Sequence, residues 1–239
     1  VDALNQSAQK HVERTAMLNR QMSPKIVTES QKVFDIFQSG LIRSSARLSH
    51  DPTKLYFYVE HPADGWRVYL RTACFIHELT KPFNPDRFLV VKRTDGESWA
   101  PSWEPPKGQM EGKDMQNSNF SIYNLLRDNI RREVQEEAKI TNIRDLQHTG
   151  LVLQSRESNY PENTFFQYHI FTGYAHPRQI AGAFDKFNWF IQHPAAFLRL
   201  RRENREKDGI AWFDPEETKL MGKWSPTIVK MYLDSFRRK

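Results

Sequence analysis

The sequence predicts an α/β fold, helices packed on an antiparallel or mixed sheet, and three observations predict it. Runs rich in β-branched and aromatic residues recur between turn signals at 55–59, 66–77, 86–93, 149–154 and 165–174. From Ser121 onward, Ile122, Leu125, Leu126, Ile130, Val134 and Ala138 recur at helical spacing. The 239 residues are 38% hydrophobic, 13% aromatic and 27% charged, a globular composition with enough apolar surface for a core.

Residues 2–39 are polar with spaced apolar positions. They predict a helix interrupted near Ser23-Pro24 and then a second helix with Val33, Phe34, Ile36 and Phe37 as its apolar stripe. Residues 1–50 are therefore expected to form a helical N-terminal extension, free to pack on the main domain or to bind a partner protein. The main domain is expected over 51–239.

Within that domain, Leu55–Val59 and Trp66–His77 predict strands, and a third runs from Asp86 to Arg93 after the turn at Pro82-Phe83-Asn84-Pro85. Pro105-Pro106-Lys107-Gly108 predicts an extended entry followed by a sharp backbone turn. The helix after it has Ser121 as its N-cap. Strands at Thr149–Gln154 and Phe165–Tyr174 follow, separated by a polar loop. An aromatic-rich helical insertion over about 180–208, broken at Pro194, ends in a basic run. Ile210–Phe213 predicts a short strand, Asp214-Pro215-Glu216-Glu217 the start of a brief helix, and Ser225-Pro226 the start of the C-terminal helix.

Charge and cysteine content narrow the function classes. The formal net charge of +6 favours a polyanionic partner or substrate, such as nucleic acid, a nucleotide or an inositol phosphate. Cys74, the single cysteine, lies in an apolar run with no second thiol to pair with, so a buried core residue and a reducing compartment are expected. No apolar run approaches the roughly 20 residues needed to span a bilayer, so no membrane is expected. The histidines show no zinc-like spacing.

The stretch with the most chemistry is 103–140. On a helix, Glu133, Glu136 and Glu137 project together, away from the apolar stripe, and three like charges on one face repel unless cations sit over them. Oxygen-rich carboxylate sites suit Mg²⁺ or Mn²⁺. Arg132, Glu133, Val134, Glu136, Glu137 and Ile140, with the loop Trp103-Glu104-Pro105-Pro106-Lys107-Gly108 upstream, resemble the signature of the Nudix hydrolases. The loop is similar to that of mRNA-decapping and diphosphoinositol-polyphosphate members. Two departures stand out: Lys139 replaces the family's glycine at the helix end, where the helix is expected to end differently or later, and about ten extra residues precede Arg132. The family's acidic position after the loop falls on Asp114, to which no role is carried over.

The resemblance implies an α/β/α sandwich with a mixed sheet and hydrolysis of a diphosphate linkage with Mg²⁺ or Mn²⁺. Glu133, Glu136 and Glu137 would ligate the metal, with a backbone carbonyl near Gly108; Arg132 would orient a glutamate, and Lys107 would meet a substrate phosphate. The general base would be a signature glutamate or a later acid, with Glu162, Glu203 and Glu206 as candidates. Along 184–207, Arg199, Arg201, Arg202, Arg205 and Lys207 read as an RNA track, or as the solvated face of a helix pair whose Phe187, Trp189, Phe190 and Phe197 are core. A cap or base could stack on Trp99, Trp103 or Tyr160. Capped or 5′-diphosphorylated RNA is the favoured substrate. A diphosphoinositol or dinucleoside polyphosphate is the close second, and a non-catalytic RNA-binding or ribosomal Nudix-fold protein the reading from another class. A cytoplasmic location is expected, with a mitochondrial one as the alternative.

Overall fold

The computed structural model describes residues 25–26, 32–94, 101–116 and 120–237. The helix expected over residues 2–22 lies outside them, as does Trp99. Among the described residues the strands are β1 (Lys25–Ile26), β2 (Ile42–Leu48), β3 (Asp51–Glu60), β4 (Arg67–Glu78), β5 (Leu89–Arg93), β6 (Trp103–Glu104), β7 (Lys107–Gln109), β8 (Arg144–Ser155), β9 (Thr164–Ala175) and β10 (Lys207–Trp212). The α-helices are α1 (Ile122–Ala138), α2 (Pro177–Gln192), α3 (Pro194–Leu198) and α4 (Ser225–Arg237).

The main sheet runs β1-β8-β9-β4-β3-β2 and is mixed: β4 pairs parallel with β9 along its whole length, and antiparallel with β3. A second sheet, β10-β5-β6, is antiparallel. Alternation along β4 sets the layers, because successive side chains point to opposite faces. Val68, Leu70, Cys74 and Ile76 join Leu89 and Val91 against Leu125, Leu126, Ile130 and Val134 of α1. Ala73 and Phe75 join Phe88 and Val90 against Ile228, Val229 and Tyr232 of α4. The result is a sheet core between helices, the α/β/α arrangement expected, with Cys74 fully buried.

One irregularity positions the site. Strand β3 stays beside β4 only through Tyr58, Val59 and Glu60. Beyond that point β7 takes the vacated edge, pairing Arg71–Gln109, Thr72–Gly108 and Ala73–Lys107. Met110 donates its N–H to Leu70 and accepts from Phe57, so the chain after Gly108 is wedged between two diverging strands. That wedge holds Lys107 and Gly108 in front of α1.

Three expectations are corrected. The stripe Val33, Phe34, Ile36 and Phe37 forms no helix. Its backbone is bonded to side chains of the sheet: Phe34 N–H donates to Gln154 Oε1 at 3.0 Å, Gln167 Nε2 donates to the Phe34 carbonyl at 2.9 Å and Gln154 Nε2 to the Lys32 carbonyl at 3.2 Å. With Val33 and Ile36 buried and Phe34 stacked on Trp66, tertiary partners replace the intrahelical ones. Residues 42–48, expected in the helical extension, are strand β2, paired with β3 from Ile42–Glu60 onward. Finally, 214–217 is a turn in which Asp214 Oδ1 accepts from the N–H groups of Glu216 and Glu217 and does not propagate.

Candidate active site

The helix α1 starts where the sequence places it. Ser121 Oγ accepts from Asn124 N–H at 3.2 Å, closing an N-cap. Glu133 and Glu137, however, do not face solvent. Asn129, Glu133 and Glu137 lie four residues apart and stack on one face, which is turned towards β7. Glu133 and Glu137 are 9% and 3% exposed, and only Glu136 is half-buried. The expected acidic face directed away from the packed side is therefore corrected: the peeled-off strand β7 gives α1 a polar wall to bury its carboxylates against.

That wall is built for the contact. Lys107 N–H donates to Glu137 Oε2 at 2.8 Å. At Gly108 an added Cβ would overlap the Glu133 carboxylate, so glycine is what admits the acid. Asn129 Oδ1 accepts from Thr72 Oγ1 at 2.6 Å, tying the same helix face to β4. Arg132 gathers three acids: NH1 lies 3.0 Å from Glu133 Oε1 and 3.3 Å from Glu136 Oε2, and NH2 lies 3.4 Å from Asp114 Oδ2. Asp114 thus enters the site despite the extra residues after it. Burial pushes the Glu133 carboxyl up to about 8, against the pull of Arg132.

A second set of charges forms the floor. Lys207 Nζ lies 2.6 Å from Glu104 Oε1 and 2.7 Å from Glu137 Oε1, and Lys107 Nζ lies 2.9 Å from Glu104 Oε2. Ser225 Oγ donates to Glu104 Oε2 at 3.2 Å. Two ammoniums and two carboxylates make a largely buried quartet of opposite charges, as buried charges require, with the more exposed Arg93 guanidinium at its edge 3.9 Å from Glu104 Oε2. Burial alone would raise Glu104, but the Lys107 and Lys207 ammoniums hold it at about 2. Burial pushes Glu137 up while Lys207 pulls against it, and Lys207 itself is raised despite burial by the two carboxylates.

Above the quartet opens a cleft of about 590 Å³. Its lining includes Arg93, Lys107, Arg202, Arg205 and Lys207 against Glu104, Glu137 and Glu206, five cationic side chains to three acidic ones. Of the four arginines of the expected RNA track, Arg202 and Arg205 line this cleft and Arg199 and Arg201 do not. Of the acids considered as general base, Glu206 is on the cleft wall; Glu203 is not, and Glu162 is exposed on the 156–163 loop. Phe187 and Phe190 are core, as the packing reading of that segment expects, whereas Trp189 is exposed and stacks on His193. Tyr160 is packed edge-on against Phe166.

Lys139 settles how α1 ends. The helix stops at Ala138, and Lys139 adopts the left-handed conformation itself, with φ of 60°. The expectation that its presence changes the helix end is corrected: the turn is kept, and the side chain secures it. Its ammonium donates to the carbonyls of Glu136 and, at 2.6 Å, of Asn204, bonding the end of α1 to the turn that carries Arg202 and Arg205.

Sequence reading assigned no role to Glu104 or Asn129, and it offered Lys207 as a cation of the RNA track rather than as the partner of buried acids. Glu104 and Lys107 are three apart in the loop, a signal that was available. Asn129 lies one turn before Glu133, which was also legible.

The chemistry of the donor set fits a hard divalent ion. Glu133, Glu136 and Glu137 offer carboxylate oxygens beside the Gly108 backbone, and the Lys207 ammonium at Glu137 is a stand-in cation. Among the described residues no three acidic, histidine or cysteine side chains are placed to hold a metal ion together: Arg132 bridges Glu133 and Glu136, and Lys207 holds Glu137.

No family model matches the chain, and no curated protein does. Solved structures similar to it include a Nudix hydrolase from Nitrosomonas europaea, 16% identical, covering 70% of this chain and 89% of that one with a TM-score of 0.40. An Ap4A hydrolase from C. elegans is 14% identical over 72% of this chain and 99% of its own, TM-score 0.37. A mutT/nudix family protein from Listeria innocua is 16% identical over 71% and 94%, TM-score 0.37. These proteins are like this chain in outline, and the chemistry of the site rests on its own residues.

Proposed function

We propose that the chain is a hydrolase of the Nudix type that cleaves a diphosphate linked to another moiety, with capped or 5′-diphosphorylated RNA as its substrate. The observation that carries the reading is the burial of Glu133 and Glu137 against the Lys107–Gly108 strand, with Glu137 also lining a cleft whose charged side chains are mainly cationic. A diphosphate is a multiply charged electrophile, and bound Mg²⁺ or Mn²⁺ supplies neutralisation of its oxygens and a more acidic water. Glu133, Glu136 and Glu137 would hold that ion, with Gly108 beside them. Arg132 fixes the Glu133 and Glu136 carboxylates by charge-assisted bonds. Arg202, Arg205 and Lys107 line the route that a phosphate chain takes into the cleft. Glu206 stands on the cleft wall as the candidate proton acceptor.

The test is a product analysis with Mn²⁺ on capped RNA beside a panel of nucleoside and inositol diphosphates, comparing the protein with Glu136→Gln. Cleavage of the RNA, lowered about 100-fold or more in the variant, is the expected result. No product from any substrate and no effect of the substitution would overturn it. Salt separates the substrate classes, since many phosphate contacts give a steep loss of affinity with ionic strength. A shallow dependence with tight inositol phosphate binding would replace RNA by the smaller ligand.

A further inference from the structure

Lys207 is a lysine at the start of a strand whose ammonium has been taken out of water and placed between two acids. The strand is irregular at that point. Lys207 pairs with Arg93 and Gly209 with Lys92, so the residue between them is extra, a bulge that redirects the side chain next to it. A Cβ at Gly209 would come within 3.3 Å of Lys92 Cβ, so the partner strand also approaches closely there. Lys207 is 4% exposed and reaches Glu104 at 2.6 Å and Glu137 at 2.7 Å. An ammonium has three donors, and two of them are committed to these carboxylates.

We propose that Lys207 is a tethered counter-ion: it occupies Glu137 in the metal-free protein, must leave it when a divalent ion binds there, and is then handed to a substrate phosphate. This rests on the metal-dependent reading of the site and names the residue that regulates its loading. With Lys207 on Glu137 the quartet is neutral, so a divalent ion competes with a cation that is covalently part of the chain. Once Glu137 is taken, Glu104 is left facing both Lys107 and Lys207. One positive charge is then surplus on the cleft floor, directed at the space where phosphate enters. Metal and phosphate therefore each favour the binding of the other, and such coupling is reciprocal. In this scheme Lys207 acts through Glu137 before substrate arrives and on the phosphate afterwards.

The experiment uses the whole chain without substrate. Mn²⁺ is titrated against the protein, Lys207→Met, Lys207→Gln and Lys207→Arg, and free Mn²⁺ is read by electron paramagnetic resonance, with circular dichroism recorded for each. Inorganic phosphate is then titrated by calorimetry with and without Mg²⁺. The neutral variants are expected to bind Mn²⁺ at least tenfold more tightly than the parent, and the arginine variant to stay within threefold of it. Mg²⁺ should tighten phosphate binding to the parent severalfold and change it less than twofold in the neutral variants. A structural role alone would weaken Mn²⁺ binding in every variant. If the folded neutral variants bind Mn²⁺ no more tightly than the parent, while Glu137→Gln abolishes binding, the role of Lys207 is overturned and the metal reading stands. If neither parent nor any Lys207 variant binds Mn²⁺, both fall.

Discussion

Neutralising Glu104 tests whether the floor of the cleft is held by charge. Glu104→Gln keeps the shape of the side chain but takes from the Lys107 ammonium the carboxylate it holds at 2.9 Å and leaves Lys207 with Glu137. The carboxyl is held at about 2 against an ordinary value of 4.5, a gap of about 2.5 pH units. At 1.36 kcal/mol per unit this amounts to roughly 3 kcal/mol of stability at neutral pH. Glu104 is 2% exposed, so solvent screening takes little from that figure. Removing one partner of a buried pair costs about 3–5 kcal/mol, which agrees. For a chain of this size the loss lowers the melting temperature by about 6–12 °C. Because the folded value is depressed, the contribution is present above pH 4.5 and is lost as the pH falls towards 2, where parent and variant should converge. Urea denaturation followed by tryptophan fluorescence at pH 7 and across the acid range measures both. A loss below about 1 kcal/mol at pH 7 would refute the quartet as a stabilising unit.

Two further outcomes follow from the other half of the site. The Glu133 carboxyl is raised to about 8, so its neutral form favours folding fully below pH 4.5, and that contribution is lost as the pH rises through 8. Glu133→Gln should therefore flatten the decline in metal-free stability between those values, a comparison that thermal melts over pH 4–9 make directly. Gly108→Ala places a methyl group on the Glu133 carboxylate, and displacing it should cut hydrolysis about 100-fold or more while overpacking costs about 1–3 kcal/mol of stability. Activity within threefold of the parent would show that Glu133 has no fixed position to lose.

What the sequence made legible divides along the range of the forces involved. The helix α1 was readable from Ser121 to Ala138 because its cap and its apolar spacing are local. The long strands β4, β8 and β9 were readable from β-branched and aromatic runs, though their ends extend further than expected. Strand β2, Ile-Arg-Ser-Ser-Ala-Arg-Leu, carries little apolar alternation and is held by pairing with β3, a contact that no local pattern announces. The buried acids were misjudged for the same reason. Glu133 and Glu137 read as a cation-binding face turned away from the packed side because the wall they pack on, β7, is only three residues long. Lys207 read as one of a run of exposed basic residues, since the carboxylates that bury it are 103 and 70 positions away in the chain.

The acids of the site divide between two cations. Arg132, rooted on α1 itself, gathers Glu133, Glu136 and Asp114, all on the outer side of the site. Lys207, delivered by another strand, gathers Glu104 and Glu137 on the inner side. Guanidinium charge is permanent and its fork is rigid, which suits Arg132 to holding several carboxylates at once. An ammonium on a flexible stem can exchange partners, so the second group is the one free to respond. The two meet at Lys107 and Gly108, where one backbone N–H binds Glu137 and the missing Cβ admits Glu133. A ligand that draws Lys207 towards phosphate therefore alters the inner pair while Arg132 holds the outer acids in place.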